Sequence, residues 1–181
     1  MTPFRGVLTA MVTPFSDDGS LDREGTRRVA SYLLENGSHG VVVAGTTGES
    51  PTLSDDETIE LLETVLHEIG NEATVICGTG SNATHHATSL TRRACEAGAH
   101  GVLVVSPYYN KPTEAGLRAH FAAVSDTAAD TPICLYNIPS RSVINMSPGF
   151  MSSLAAEHSN VTAVKQANNA EIGPIEGLDV M

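Results

Sequence analysis

A lysine that ends an apolar run is the first residue in this sequence with a reaction to offer. The segment VTAVK leads hydrocarbon side chains directly into Lys165, one of only two lysines in the chain. Burial disfavours an ammonium, so an amine at the mouth of an apolar interior is uncharged often enough to attack a ketone and form an imine. The iminium then acts as an electron sink, easing proton loss from the adjacent methyl to give an enamine nucleophile with no metal or organic cofactor. A lysine at a strand end can equally carry its charge out to water along an aliphatic stem. Its neighbours must decide between the two.

Those neighbours follow three other apolar runs. GVVVAG leads into Gly45-Thr46-Thr47-Gly48-Glu49-Ser50, where two glycines allow a tight turn and backbone amides with two hydroxyls can hold a small carboxylate. A loop whose threonines only cap a turn would read the same way. PICLYN ends in Tyr136 and continues Asn137-Ile138-Pro139-Ser140-Arg141. Its phenol can shuttle protons beside an imine, and Arg141 can take a second carboxylate in a two-pronged grip. GVLVVS leads into Ser106-Pro107-Tyr108-Tyr109-Asn110-Lys111-Pro112, a stiff loop with two adjacent tyrosines, although aromatics in such places also pack loops and interfaces.

The elements that must position these residues are short. Apolar β-type runs at 6 to 13, 40 to 45, 73 to 78, 101 to 106, 132 to 137 and 161 to 165 predict six strands, and their nearly continuous hydrophobicity fits strands covered on both faces. Between them, 22 to 36, 54 to 69, 82 to 97, 113 to 128 and 147 to 157 predict helices. Ser54 with Glu57 has capping-box spacing, Asn82, Thr113 and Ser147 are expected caps, and Gly37, Gly70 and Gly98 are expected to stop helices at positive φ. The strand-helix period of roughly 30 residues is that of a βαβ unit. An open doubly wound sheet and a (β/α)8 barrel both satisfy it; GxGxxG and GxxxxGK[ST] follow none of the strands, which disfavours a nucleotide site. Six units do not close a barrel, and the terminal Leu-Asp-Val reads as the start of another strand.

Composition sets the limits. At 41% hydrophobic and 17% charged, the 181 residues predict one packed domain, and a net charge of −11 without a basic cluster argues against nucleic acid and anionic membranes. Cys77, Cys95 and Cys134 lack metal-ligand spacing and read as reduced structural thiols, and no metal site is expected. The first residues lack a basic leader and a cleavage site, no segment reaches membrane-spanning length, and a cytoplasmic location is expected.

Taken together, GTTGES at 45 to 50, SPYYNKP at 106 to 112, YNIPSR at 136 to 141 and the lysine of VKQ are far more specific than any one of them. In order and spacing the sequence resembles the pyruvate-dependent Schiff-base aldolase family that contains dihydrodipicolinate synthase and N-acetylneuraminate lyase, over essentially its whole length. The resemblance implies a (β/α)8 barrel of which about the first six units are present in residues 1–181. It implies Lys165 as the Schiff-base residue, Tyr136 as proton shuttle, Thr46 as the link from Tyr136 to Tyr109, and Thr47 with Gly45 at the pyruvate carboxylate. It also implies insertion of Tyr109 into a neighbouring subunit of a homodimer or homotetramer, and Arg141 at the carboxylate of L-aspartate 4-semialdehyde. The implied cofactor is none beyond the covalent pyruvate imine on Lys165, and the implied reaction makes 4-hydroxy-tetrahydrodipicolinate for lysine and diaminopimelate synthesis.

Within that family Thr46 and Arg141 resemble the synthases, whereas Gln166 stands where synthases commonly carry an acid and lyases a glutamine, leaving N-acetylneuraminate lyase or another 2-oxo-acid aldolase as the alternative. The family's inhibitor site matches at Ser50, Asn82 and Tyr108 but not at Asp55, Thr58 and His86, and the pair His85-His86 is expected to point to different sides of its helix rather than chelate. The resemblance also implies that the last barrel units and C-terminal helices fall outside these residues. A half-barrel serving as a structural or assembling module, with little turnover, is the alternative of a different class.

Overall fold

In the computed structural model, which describes residues 3–181, seven parallel strands form one sheet in the order in which they occur along the chain. They are β1 (Leu8–Ala10), β2 (Gly40–Val43), β3 (Thr74–Gly78), β4 (Gly101–Val105), β5 (Ile133–Asn137), β6 (Val161–Gln166) and β7 (Asp179–Val180). The helices α1 (Arg23–Glu35), α2 (Asp55–Ile69), α3 (Thr84–Glu96), α4 (Glu114–Ala128), the single turn α5 (Pro139–Ser142) and α6 (Pro148–Glu157) lie between strands. Consecutive parallel pairing with a helix in most crossovers is the wall of a (β/α)8 barrel. The Leu-Asp-Val expected to start a further strand supplies β7.

The strands carry two cores because side chains alternate across them. Val41, Val43, Val75, Cys77, Val102, Val104, Leu135 and Val164 face outward and pack with α2, α3, α4 and α6 through residues such as Leu62, Phe121 and Leu154. Val42, Ile76, Leu103, Cys134, Tyr136 and Ala163 face inward with Phe4 and Ile138. This double burial explains why the runs were apolar without alternation. The cysteines are free thiols, and burial pushes those of Cys77 and Cys134 up to about 12.

Helix starts follow the sequence closely. Ser54 and Glu57 complete a capping box on α2, and Asp22, Thr113 and Ser147 accept backbone N–H groups at the starts of α1, α4 and α6. Two expectations are corrected. Gly37 and Gly98 take φ of 96° and 93°, but Gly70 stays right-handed at −63° and closes α2 by donating to Leu66 O. Asn82 does not cap α3, whose N-cap is Ala83 with no side-chain bond.

The bottom of the sheet contains a repeated device. His39 Nδ1 accepts from Val7 N at 3.0 Å while His39 N donates to Val7 O at 2.8 Å; His100 Nδ1 accepts from Val75 N at 3.0 Å while His100 N donates to Val75 O at 3.0 Å. Each histidine directly precedes the glycine that opens β2 or β4, and its imidazole accepts from a backbone N–H just before β1 or within β3.

His120 on α4 is a different histidine. It is 2% exposed, Nδ1 meets Thr84 Oγ1 at 2.9 Å, Nε2 has no partner among the described residues, and burial lowers its pKa to about 4. The unfolded chain therefore binds a proton near pH 6.5 that the folded one refuses. Its contribution to stability is complete above that pH and is lost as pH falls towards 4, by up to roughly 3 kcal/mol. Urea denaturation between pH 7 and 4 should show His120→Gln losing less stability than the parent over that interval; equal slopes would contradict the assignment.

Candidate functional site

The C-terminal ends of β2, β4, β5 and β6 gather the chemistry onto one rim. β5 and β6 pair with Tyr136 opposite Lys165, so both side chains enter the interior on one rung. Lys165 Nζ lies 4.6 Å from the centroid of the Tyr136 ring, within reach of the ring's negative face. Tyr136 is buried and Lys165 half-buried. Beneath them Cys134 is a protonated thiol, held so by burial against a smaller opposing pull from Lys165.

The GTTGES loop forms the opposite wall. Gly45, Thr46 and Ser50 line a cavity of about 30 Å³ with Tyr136. A wider cavity of about 220 Å³ opens above it, lined by Thr46, Ser50, Tyr108, Arg141 and Ser142 among others. The structure thus brings Gly45, Thr46 and Tyr136 together at the base and Arg141 to the mouth, while Lys165 meets the Tyr136 ring and lines neither cavity. Thr47 is exposed and lines neither cavity. Tyr109 is 85% exposed and lines neither cavity.

The tight turn forms where the sequence placed it, Glu49 N donating to Thr46 O and Ser50 N to Gly45 O, each at 3.2 Å. Gly45 and Gly48 keep negative φ; the left-handed residues are Ala44 at 49° and Glu49 at 58°, on either side of the pair of threonines. Lack of a side chain matters at Gly48, where a Cβ would crowd Met11 O, and more at Gly78 of β3, where it would overlap Ala44 O. Tyr109 at 70° and Lys111 at 49° in the β4 loop, and Val143 at 66° after α5, are also left-handed. Five of the six non-glycine residues with positive φ among those described therefore sit on this rim, Ala129 being the sixth. Each such residue costs of order 1–3 kcal/mol, and such outliers cluster at functional sites.

A third cavity, of about 100 Å³, lies beside the second and shares Ser50, Pro51, Gly80 and Tyr108 with it. Asp55, Thr58, Ser81 and His86 also line it; His86 Nε2 meets Asp55 Oδ1 at 2.6 Å and His86 Nδ1 meets Ser81 Oγ at 3.0 Å. The histidines carried no functional signal in the sequence, and this contact spans 31 positions. His86 stands three residues after the Ala83 N-cap of α3 and Asp55 directly after the Ser54 N-cap of α2, so both lie in first helical turns. Asn82 braces the tyrosine loop instead of capping: its carbonyl accepts from Asn110 Nδ2 at 2.8 Å. Among the described residues no cluster of three or more His, Cys, Asp or Glu is arranged to hold a metal, and no helix is long and apolar enough to cross a membrane.

With this geometry in view, comparison with known proteins is specific. Residues 3–172 match the Dihydrodipicolinate synthetase family. A 4-hydroxy-tetrahydrodipicolinate synthase of Acidothermus cellulolyticus is 53% identical over 165 residues, covering 91% of this chain and 53% of that protein. A crystal structure of dihydrodipicolinate synthase superposes with a TM-score of 0.93 at 42% identity, covering 98% of this chain and 63% of that one. The chloride-inhibited dihydrodipicolinate synthase of Acinetobacter baumannii, solved with pyruvate, superposes at 0.86 with 36% identity, covering 91% of this chain and 56% of that one. The chain spans about half the length of the curated relative from Acidothermus.

Replacing Gly78 by Ala should force the β2 loop away from β3, costing roughly 1–3 kcal/mol as overpacking does. Chemical denaturation measures it, and a neutral result would show that the Ala44 carbonyl yields freely.

Proposed function

The chain belongs to the dihydrodipicolinate synthetase family, and on that premise we propose that it is the part of a Schiff-base aldolase that captures pyruvate on Lys165 and condenses it with L-aspartate 4-semialdehyde. The observation that carries this reading is the interior rung of β5 and β6, with Lys165 Nζ 4.6 Å from the Tyr136 ring centroid. The pyruvate in the Acinetobacter structure supports the choice of keto acid.

In this reading the free-base amine of Lys165 attacks the ketone carbon, the carbinolamine loses water, and the iminium releases a methyl proton to give the enamine. The Tyr136 phenol carries protons to and from the carbinolamine oxygen and the aldehyde oxygen. Gly45 and Thr47 hold the pyruvate carboxylate through the amides and hydroxyl of their turn, which requires the exposed Thr47 side chain to swing in towards the cavity, and Thr46, which shares the 30 Å³ cavity with Tyr136, links that phenol to Tyr109 of a neighbouring subunit. The exposure of Tyr109 and its left-handed backbone suit a side chain offered outward to a second copy in a homodimer or homotetramer. Arg141 at the mouth of the larger cavity takes the carboxylate of the semialdehyde. Cyclisation and transimination then return the lysine and release 4-hydroxy-tetrahydrodipicolinate, a cytoplasmic step in lysine and diaminopimelate synthesis. No metal or organic cofactor is required, because the iminium itself withdraws the electrons. Ser50, Asn82 and Tyr108, beside the cavity closed by Asp55 and His86, are the proposed regulatory positions.

Borohydride reduction in the presence of pyruvate, followed by peptide mass spectrometry, should place a reduced pyruvyl group on Lys165. A folded protein left unmodified would contradict the aldolase reading and favour a structural half-barrel. Arg141→Ala should lower kcat/KM for the semialdehyde by roughly 10- to 100-fold, the worth of a charge-assisted contact, while sparing imine formation. Equal loss in both would remove Arg141 from its role, and cleavage of sialic acid in preference to condensation would move the chain to the lyase alternative.

A further inference from the structure

One rung beyond Tyr136 and Lys165, β5 and β6 pair Asn137 with Gln166. Alternation turns that rung outward, so the two successive steps of the same strands carry reactive groups on one face and carboxamides on the other. Asn137 is fully buried. Its Nδ2 donates to Gln166 Oε1 and to Asn145 Oδ1, each at 2.9 Å, and reaches Met146 O at 3.3 Å; its Oδ1 accepts from Met146 N at 3.0 Å. Gln166 Oε1 accepts a second bond, from Asn168 N at 3.1 Å, and Ala167 N donates to Asn137 O at 2.9 Å.

We propose that the carboxamides of Asn137 and Gln166 are positioning residues that fix the rotation and register of the Tyr136–Lys165 rung and, through Met146, the 138–146 segment that carries Arg141. The inference rests on the Schiff-base reading and deepens it.

Three features carry it. A strand end has no further ladder to hold it, and slipping by one residue would turn Lys165 out of the interior; the amide bonds take over where the ladder stops. The segment they grip contains Val143, a β-branched residue at a φ of 66°, which persists only where its surroundings over-determine it. Finally, Gln166 Nε2 is buried without a partner among the described residues. Packing alone would be better served there by a hydrocarbon of similar size, since an unpaired buried donor is a net cost. The glutamine is used for its oxygen, which accepts from both strand ends.

The test is the rate and pH profile of pyruvate trapping by borohydride in the parent protein and in Gln166→Leu, Gln166→Glu and Asn145→Ala. Gln166→Leu should lose at least tenfold in trapping rate and change the pH profile, because the amine and phenol no longer hold their mutual geometry. Gln166→Glu, which keeps an oxygen for Asn137 and Asn168, should recover most of the rate. Asn145→Ala, which removes an exposed acceptor without opening the core, should lose two- to fivefold. A parent that forms no adduct removes the Schiff-base reading, and the inference with it. A parent that forms the adduct while folded Gln166→Leu keeps its rate and profile overturns the inference alone. So does a Gln166→Glu no better than Gln166→Leu, or, should Gln166→Leu not fold, an Asn145→Ala indistinguishable from the parent.

Discussion

The parallel register of β5 against β6 is the constraint on which the site depends. Tyr136 opposite Lys165 places a phenol ring and an amine on the same interior rung, and neither can leave it without turning a whole strand over. The outward faces make that turn prohibitive. Leu135 and Val164 are completely buried against the helices, so a slip would exchange hydrocarbon for Tyr136 and Lys165 in the outer core. Hydrophobic burial, which has no chemistry of its own, thereby dictates where the chemistry stands.

Around that fixed rung the rim is made of less relaxed material. Ala44 and Glu49 hold the threonine loop, Tyr109 and Lys111 the tyrosine loop, and Val143 the arginine segment, all with left-handed backbones. The helices below supply ordinary stability: a capping box on α2, side-chain caps on α1, α4 and α6, and an ion pair from Arg118 to Glu157 at 2.6 Å that ties α4 to α6. The division matches the barrel rule that one end serves function and the other serves folding.

The fold was legible because its determinants are local. Continuous apolar runs gave the strands to within a few residues, β1 being the shortest relative to its run, and Ser54, Thr113 and Ser147 announced their helices. The positions of Lys165, Tyr136 and Arg141 after strands were equally plain. What escaped depends on contacts across the chain. Gly70 is right-handed because Leu66 already receives its N–H. Asn82 serves Asn110 instead of α3. The meeting of His86 with Asp55 and of Asn137 with Gln166 joins residues 31 and 29 positions apart, and no periodicity records such partners. The tight turn at GTTG was legible, but the close approach of the Ala44 carbonyl that leaves no room for a Cβ at Gly78 was not, because it comes from the end of the neighbouring strand.

The imidazole rings at the bottom of the sheet have a consequence of their own. His39 and His100 perform the same reciprocal exchange with Val7 and Val75, two strands apart in a sheet whose order equals chain order. Over the first four strands the pitch at that end is therefore the strand pair, and β1–β2 and β3–β4 each carry their own fastening. A grafted or shuffled segment cut to that pitch would arrive with its seam intact, whereas one cut at a single strand would bring half of a joint.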